Sequence, residues 1–298
     1  GDVYKRQPMD YTTGITSMLW NVAGMKSNGA DIELRTLNIN SKIQWSSLIN
    51  FSVAKEKVTK YFLSNTVGRQ FVVSPVPISG VEGLPVYSIF AYKWAGLDPA
   101  TGDPQGYLNG EISKDYAKIT GVGTDLKDLQ YFGSAVPTLY GSFINTISFK
   151  NFTLDLGVTY KLGYWFRRSS INYTNLYRDW AGHSDYALRW QKPGDELITN
   201  VPSNIYKTNT NRDAFYAGSS ILVEKGDHVR LQFINFNYSL SQEMLNNLPL
   251  KSLDLYCNIS NIGLLWKATK QDIDPDFSLG NNTLKAPLTI AFGLKTKF

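Results

Sequence analysis

The sequence predicts an all-β chain, an antiparallel transmembrane β-barrel with long extracellular loops. Three observations carry that expectation. Apolar residues recur at every second position over many stretches, long and short connections alternate, and an alternating strand ends the chain on Phe298. Of 298 residues, 43% are hydrophobic, 13% aromatic and 18% charged. That is too apolar for disorder. No stretch reaches the roughly 18–20 uninterrupted apolar residues of a membrane helix. Barrel strands dilute their hydrophobicity by alternation, which reconciles the two facts. One Cys excludes a disulfide framework and a Cys-based zinc site. Two His leave little room for His-centred catalysis. The net charge of +5 comes from scattered Lys and Arg without a basic run, which argues against nucleic acid as a partner.

Residues 1–13 read as a scar or an irregular start, and 14–298 as barrel. The opening GDVYKRQPMD has no apolar stretch of an export leader, so a cytosolic protein or a piece of a longer chain is expected. Ten strands follow. The first two, 14–24 and 30–40, are separated by a turn at Ser27, Asn28 and Gly29. In 43–55, Ile43, Trp45, Ile49, Phe51 and Val53 share a face. Strands 68–76 and 84–94 come next. In 139–149 the apolar set is Leu139, Phe143, Ile147 and Phe149; in 152–164 it is every even residue from Phe152 to Tyr164. That run exceeds the usual ~5–6 residues of a globular strand. It satisfies the about 9–11 of a tilted membrane strand. In 228–240 the phase slips near Phe233 and Ile234, which predicts a β-bulge. Strand 250–262 carries Leu253, Leu255, Cys257 and Ile259, with Cys257 a small hydrophobe. Strand 287–298 closes the chain.

The opposite faces hold Thr, Ser, Gly and Asn with few charges, as a polar lumen would; a soluble sandwich is the rival. Connections at 40–42, 150–151 and 241–249 are short or moderate, whereas 95–138, 165–227 and 263–286 are long. Long loops on every second connection fall at one end of the sheet, the exterior side of a barrel. Trp94, Tyr164, Trp165, Phe166 and Trp266 near strand ends suggest an interfacial girdle. Phe298 is the candidate barrel-assembly signal, read by the assembly machinery.

Several segments carry a resemblance. Residues 92–110 read YKWAGLDPATGDPQGYLNG, 133–137 GSAVP and 141–155 GSFINTISFKNFTLD. Later come 227–240, DHVRLQFINFNYSL, then 253–263, LDLYCNISNIG, and Asp274 with Pro275 before the last strand. This order resembles the C-terminal barrel portion of the SusC/RagA-type TonB-dependent outer-membrane receptors. The resemblance implies a 22-stranded barrel of which about ten strands are visible. It also implies an N-terminal plug and TonB box outside this chain, so that the chain alone leaves open edges and does not transport. The implied function is TonB-dependent uptake of glycan or peptide oligomers, with this part as barrel wall and outer loops. The implied partners are a SusD-like surface lipoprotein, TonB through the missing part, the barrel assembly machinery and outer-membrane lipid. The implied place is the outer membrane of a Gram-negative bacterium. A passive porin or adhesin barrel, and an outer-membrane barrel enzyme, are the alternatives.

Candidate ligand or lid contacts lie in the longest loop: Tyr173, Tyr177, Trp180, Asp185, Tyr186 and Trp190, with Arg178, Asp179 and Arg189 nearby. Aromatic faces stack on sugars and apolar side chains while charges orient the ligand; such rings equally pack long loops on themselves. No catalytic residue and no cofactor is expected. His183 and His228 have no evident partner, and His183 and Ser184 are adjacent, which places them on opposite faces of a strand. Asp272, Asp274 and Asp276 alternate like the start of a calcium loop. Phe277 stands where Gly is needed and Thr283 where Glu is needed, so at most an irregular loop calcium site is expected.

Overall fold

The computed structural model describes residues 2–62, 67–73, 78–246, 249–277 and 284–297. In chain order the strands are β1 (Asp2–Pro8), β2 (Ser17–Asn40), β3 (Ile43–Tyr61), β4 (Ser88–Tyr92), β5 (Trp94–Leu97), β6 (Pro104–Leu108), β7 (Glu111–Ser113), β8 (Leu129–Ser134), β9 (Leu139–Phe149), β10 (Phe152–Leu162), β11 (Trp165–Arg167), β12 (Val223–Lys225), β13 (His228–Ser239), β14 (Ser252–Lys267) and β15 (Thr289–Lys297). The helices are short: α1 (Arg69–Val72), α2 (Tyr116–Ile119), α3 (Tyr173–Asp179), α4 (Thr210–Ala217) and α5 (Gln242–Leu245).

Eight strands make the main antiparallel sheet, in the order β1-β2-β3-β9-β10-β13-β14-β15. Its register follows the alternation. Leu154 lies opposite Ile147 and Phe236, and Phe149 opposite Ile43 and Phe152. Cys257 lies opposite Phe236 and Phe292. One face is therefore apolar from β2 to β15, because a one-residue slip would invert every strand. The other face is zipped by short polar side chains. Thr146 Oγ1 donates to Asp155 Oδ1 at 2.6 Å, and Asn50 Nδ2 to Ser142 Oγ at 3.0 Å. Glycines admit aromatic rings: a Cβ at Gly157 would stand 2.3 Å from the Phe233 ring, and one at Gly141 would stand 2.4 Å from the Tyr160 hydroxyl. The expected bulge is present, with register shifts between Leu231 and Phe233 and opposite Gly157 and Val158.

The part of a 22-stranded transmembrane barrel expected from the sequence is not what the described residues form: they make an open sheet, with the free edges implied for the chain alone. The sheet runs from one free edge to the other, and closure requires the first and last strands to bond to each other. Among the described residues β1 pairs with β2 alone and β15 with β14 alone. The architecture is an open sheet joined to three small sheets and short helices. A multi-pass transmembrane placement in the outer membrane rested on closure, because strands in lipid must satisfy every backbone group through a neighbour. The open sheet overturns that placement. Among the described residues no helix is long and apolar enough to cross a membrane.

Individual elements also differ. The expected first two strands are one, β2, and Gly29 is not a turn: it pairs with Ala54, and a Cβ there would meet the Val53 carbonyl at 2.6 Å. The expected strand 68–76 contains α1, and 84–94 holds β4, which pairs with β8 outside the main sheet. Asp2–Pro8 forms the edge strand β1. Phe298 lies outside the described residues.

The long connections 62–138, 163–227 and 268–288 all leave the same end of the sheet. The first two build a lobe that holds most of the buried core. Phe71, Val72, Phe90, Tyr92, Tyr116, Ile119, Leu129 and Phe215 form one cluster. Ile171, Tyr173, Val201, Tyr216 and Leu222 form another. A smaller cluster of Val22, Ala23, Val58 and Val86 joins the ends of β2 and β3 to the lobe.

Candidate ligand-contact lobe

Helix α4 anchors the lobe. Asn209 caps it, its side chain accepting from the Asn211 and Arg212 amides. Phe215, fully buried, sits among the rings of Tyr92, Trp94 and Tyr116 at 5.9, 6.4 and 5.7 Å. Arg212 is buried too. Its Nε donates to Asp103 Oδ1 at 2.8 Å and its Nη2 to the Ser203 carbonyl at 2.9 Å, while its guanidinium lies 5.7 Å from the Tyr173 ring. Asp213 accepts from the Thr174 amide and hydroxyl at 2.7 and 2.6 Å, tying α4 to α3. A buried cation and a buried anion on adjacent residues thus each find a partner, the condition for burying charge at tolerable cost.

The six expected contact residues divide into two groups. Tyr173 and Trp190 are core. Tyr173 is 1% exposed and donates to the Pro202 carbonyl at 2.6 Å; burial pushes its phenol up. Trp190 donates from Nε1 to Glu196 at 3.1 Å and covers Gly102, where a Cβ would stand 2.4 Å from the indole. Asp185 is structural as well, accepting from Arg168 Nη1 and Ser170 Oγ, each at 2.5 Å. Burial pushes its carboxyl up, but the hydrogen bonds from Arg168 and Ser170 outweigh that and hold it low. Tyr186 is half-buried, with the Arg189 guanidinium 4.1 Å above its ring.

Tyr177 and Trp180 face outward. Trp180 is 91% exposed and ends α3 in the left-handed region, φ 57°, a conformation that usually falls to Gly. Tyr177 donates to Asn204 Oδ1 at 2.8 Å, and its ring meets Tyr206 edge-on at 5.4 Å. Tyr206, 84% exposed, was not singled out from the sequence, nor were Leu188 and Ile198, which line a shallow cavity near Arg189. Their signal was present as apolar residues in a loop, but exposure is decided by packing that spans the whole lobe.

The histidines and acidic loop residues are structural. His183 Nδ1 accepts from the Asp185 amide at 3.1 Å. His228 is buried, with Nδ1 2.8 Å from the Gly226 carbonyl and Nε2 3.2 Å from Asp276. Asp276 also accepts from Lys161 at 2.7 Å and Arg230 at 3.2 Å, and Arg230 bonds Asp274 at 2.5 Å. Burial pushes the Asp276 carboxyl up, but the His228 and Lys161 hydrogen bonds prevail and hold it well below the usual carboxylate range. The acidic run is thus spent pinning 268–277 to β10 and β13. Asp272 alone points to solvent. Among the described residues no group of three His, Cys, Asp or Glu side chains is arranged to hold a metal ion.

Comparison with known proteins places this geometry. No protein-family profile matches the chain. It is 24% identical over 322 residues to the TonB-dependent receptor P26 of Formosa agariphila, covering 96% of this chain and 30% of that protein. The RagAB peptide importer in its 'open-open' state has the same fold, with TM-score 0.69 and 21% identity over 100% of this chain and 31% of that one. Its 'closed-closed' state gives TM-score 0.71 and 20% identity over 100% and 32%. The chain spans about a third of the length of these relatives. The likeness is one of fold, to RagAB and SusC-type TonB-dependent transporters, and it does not single out the closed barrel portion of a receptor. That corrects the resemblance read from the sequence. The solved structures that share the fold are those of a peptide importer.

Proposed function

We propose that the chain is part of a TonB-dependent, SusC-type importer and that its lobe contacts an oligomeric cargo, a peptide or a glycan. The observation that carries this reading is the lobe itself. A rigid, doubly charged and fully partnered core at α4 presents Tyr177, Trp180 and Tyr206 outward. Rigid aromatic rings on a fixed base bind at low entropy cost. The TonB-dependent receptor matched along nearly the whole chain supports transport, and the peptide importers that share the fold favour a peptide. A SusD-like surface lipoprotein sharing this surface, and TonB acting through the rest of the longer protein, complete the proposal.

The test is titration of the intact chain with labelled pools of oligopeptides and of oligosaccharides. Binding of one pool, weakened about tenfold by Trp180→Ala together with Tyr177→Ala at an unchanged melting temperature, is expected. Binding of neither pool, or undiminished binding by the double variant, contradicts the reading.

A further inference from the structure

The shallow cavity near Arg189 holds about 290 Å³ and is built wholly from the loop 187–199, inside the described stretch 78–246. Ala187, Leu188 and Ile198 give it an apolar wall. Leu188 is 63% exposed and Ile198 85%. One exposed aliphatic residue is ordinary, but two facing one recess on a loop fixed in place mark a contact site. The loop is fixed by its own hydrogen bonds. Thr199 Oγ1 donates to the Leu188 carbonyl at 2.6 Å and so ties one wall to the other. The Ile198 and Thr199 amides each donate to the Asp195 carbonyl at 2.9 Å, and the Trp190 amide donates to the Val201 carbonyl at 2.9 Å.

The polar groups of the cavity keep hydrogen-bonding capacity to spare. Arg189 spends Nη1 on the Tyr186 carbonyl at 3.0 Å. Among the described residues its Nε and Nη2 make no hydrogen bond. Asp195 Oδ2 accepts from the Gln191 and Lys192 amides at 2.9 and 3.0 Å, while Oδ1 accepts from none of the described residues. A chain of contacts leads from here to the outward rings. The Arg189 guanidinium lies over Tyr186, Asn204 Nδ2 donates to the Tyr186 hydroxyl at 3.3 Å, and the Tyr177 hydroxyl donates to Asn204 Oδ1.

We propose that this cavity takes one aliphatic side chain of a peptide cargo, with Arg189 donating to a neighbouring peptide carbonyl and Asp195 Oδ1 accepting from a peptide N–H. The proposal rests on the cargo reading and narrows it to a peptide that carries an aliphatic residue. One cation and one anion in the same recess select a neutral residue, since either charge on the ligand meets its like. The lining holds no aromatic ring on which a sugar would stack. The volume lies just below the roughly 300–1,000 Å³ of sites for drug-sized ligands, which suits one side chain and its flanking peptide groups.

The test titrates the ¹⁵N-labelled intact chain with N-acetyl-alanyl-leucyl-alanine amide, with the same peptide carrying alanine or aspartate at its centre, and with maltotriose. Saturable shifts of the Gln191 and Thr199 amides with the leucyl peptide are expected, at least tenfold weaker with the alanyl and aspartyl peptides and absent with maltotriose. Ile198→Ser, at an exposed position, should weaken the leucyl peptide at least fivefold at an unchanged melting temperature. Arg189→Gln, which keeps an amide donor, should weaken it less than Arg189→Met. Saturable leucyl binding here, with neither oligomer pool bound, would keep the site and sink the cargo reading. Binding of the peptide pool without these shifts would overturn the site and leave the cargo reading standing. Equal binding of the leucyl and alanyl peptides, tighter binding of the aspartyl peptide, saturable shifts with maltotriose, or undiminished binding by Ile198→Ser would also overturn the site.

Discussion

The sheet and the lobe solve the folding problem in opposite ways. The lobe buries its large side chains: Phe215, Tyr173, Tyr216 and Leu222 are all at most 2% exposed, and its buried Arg212 and Asp213 are hydrogen-bonded inside. The sheet leaves its large side chains open: Ile32, Leu34, Phe236, Ile290 and Phe292 are between 42% and 80% exposed. Its cohesion comes from backbone ladders and polar cross-strand pairs, worth roughly 0.2–1 kcal/mol each. The lobe is cored, while the sheet is a wide surface whose large apolar side chains stay exposed. The difference teaches where stability and function reside. Rigidity belongs to the lobe, which carries the proposed contacts, and the sheet provides length and register.

Substitutions should separate the two regions. The largest effect is expected at Phe215→Ala, which empties the ring cluster and should cost ~3–5 kcal/mol. The matched change Phe292→Ala, at an 80% exposed edge position, should stay within about 0.5 kcal/mol. Chemical denaturation followed by near-UV circular dichroism reads both, and equal losses would erase the distinction. Next comes Arg212→Gln, which removes a buried guanidinium bonded to half-buried Asp103 and to Ser203 and should cost ~2 kcal/mol. Tyr160→Phe should cost only ~1 kcal/mol, because it removes one hydrogen bond, to the Asn50 carbonyl at 3.0 Å, from a sheet stitched by many.

The smallest effect is a local one at the junction. The Asp276 carboxyl is held low in the folded chain, so its stabilising contribution is complete above the ordinary carboxylate value near 4 and is lost as pH falls below it. Hydrogen exchange of 268–277 should therefore quicken below about pH 4, before the lobe core opens. Asp276→Asn should abolish that step; persistence of the step in the variant would assign it to another group.

Legibility from sequence followed the same division. Period-2 alternation is local, so β9, β10, β14 and β15, the apolar face and the bulge near Phe233 could be read directly. Placement of the long connections at one end followed from their order. Open edges were implied for the chain alone, whereas the mixed sheets and short helices built from the long connections could not be read, since they rest on pairings between distant segments. Gly29 looked like a turn because a glycine needed for close strand approach and one needed for bending are the same letter. In the lobe, Tyr173, Trp190 and Asp185 matched the composition of a contact site yet were consumed by packing and ion pairing, while Tyr177 and Trp180 remained outward. Burial in a lobe assembled from 62–138 and 163–227 is set by contacts between distant segments, which no local pattern reports.

Residue-resolved hydrogen exchange on the intact chain tests the open-sheet, cored-lobe account most directly. Slow exchange in β4, β8 and α4 and in the internal strands β9 and β10, with β1 and β15 exchanging fast along their unpaired sides, is the result expected. Protection of β1 and β15 equal to that of β9 and β10 would show that the edges are paired and would contradict it.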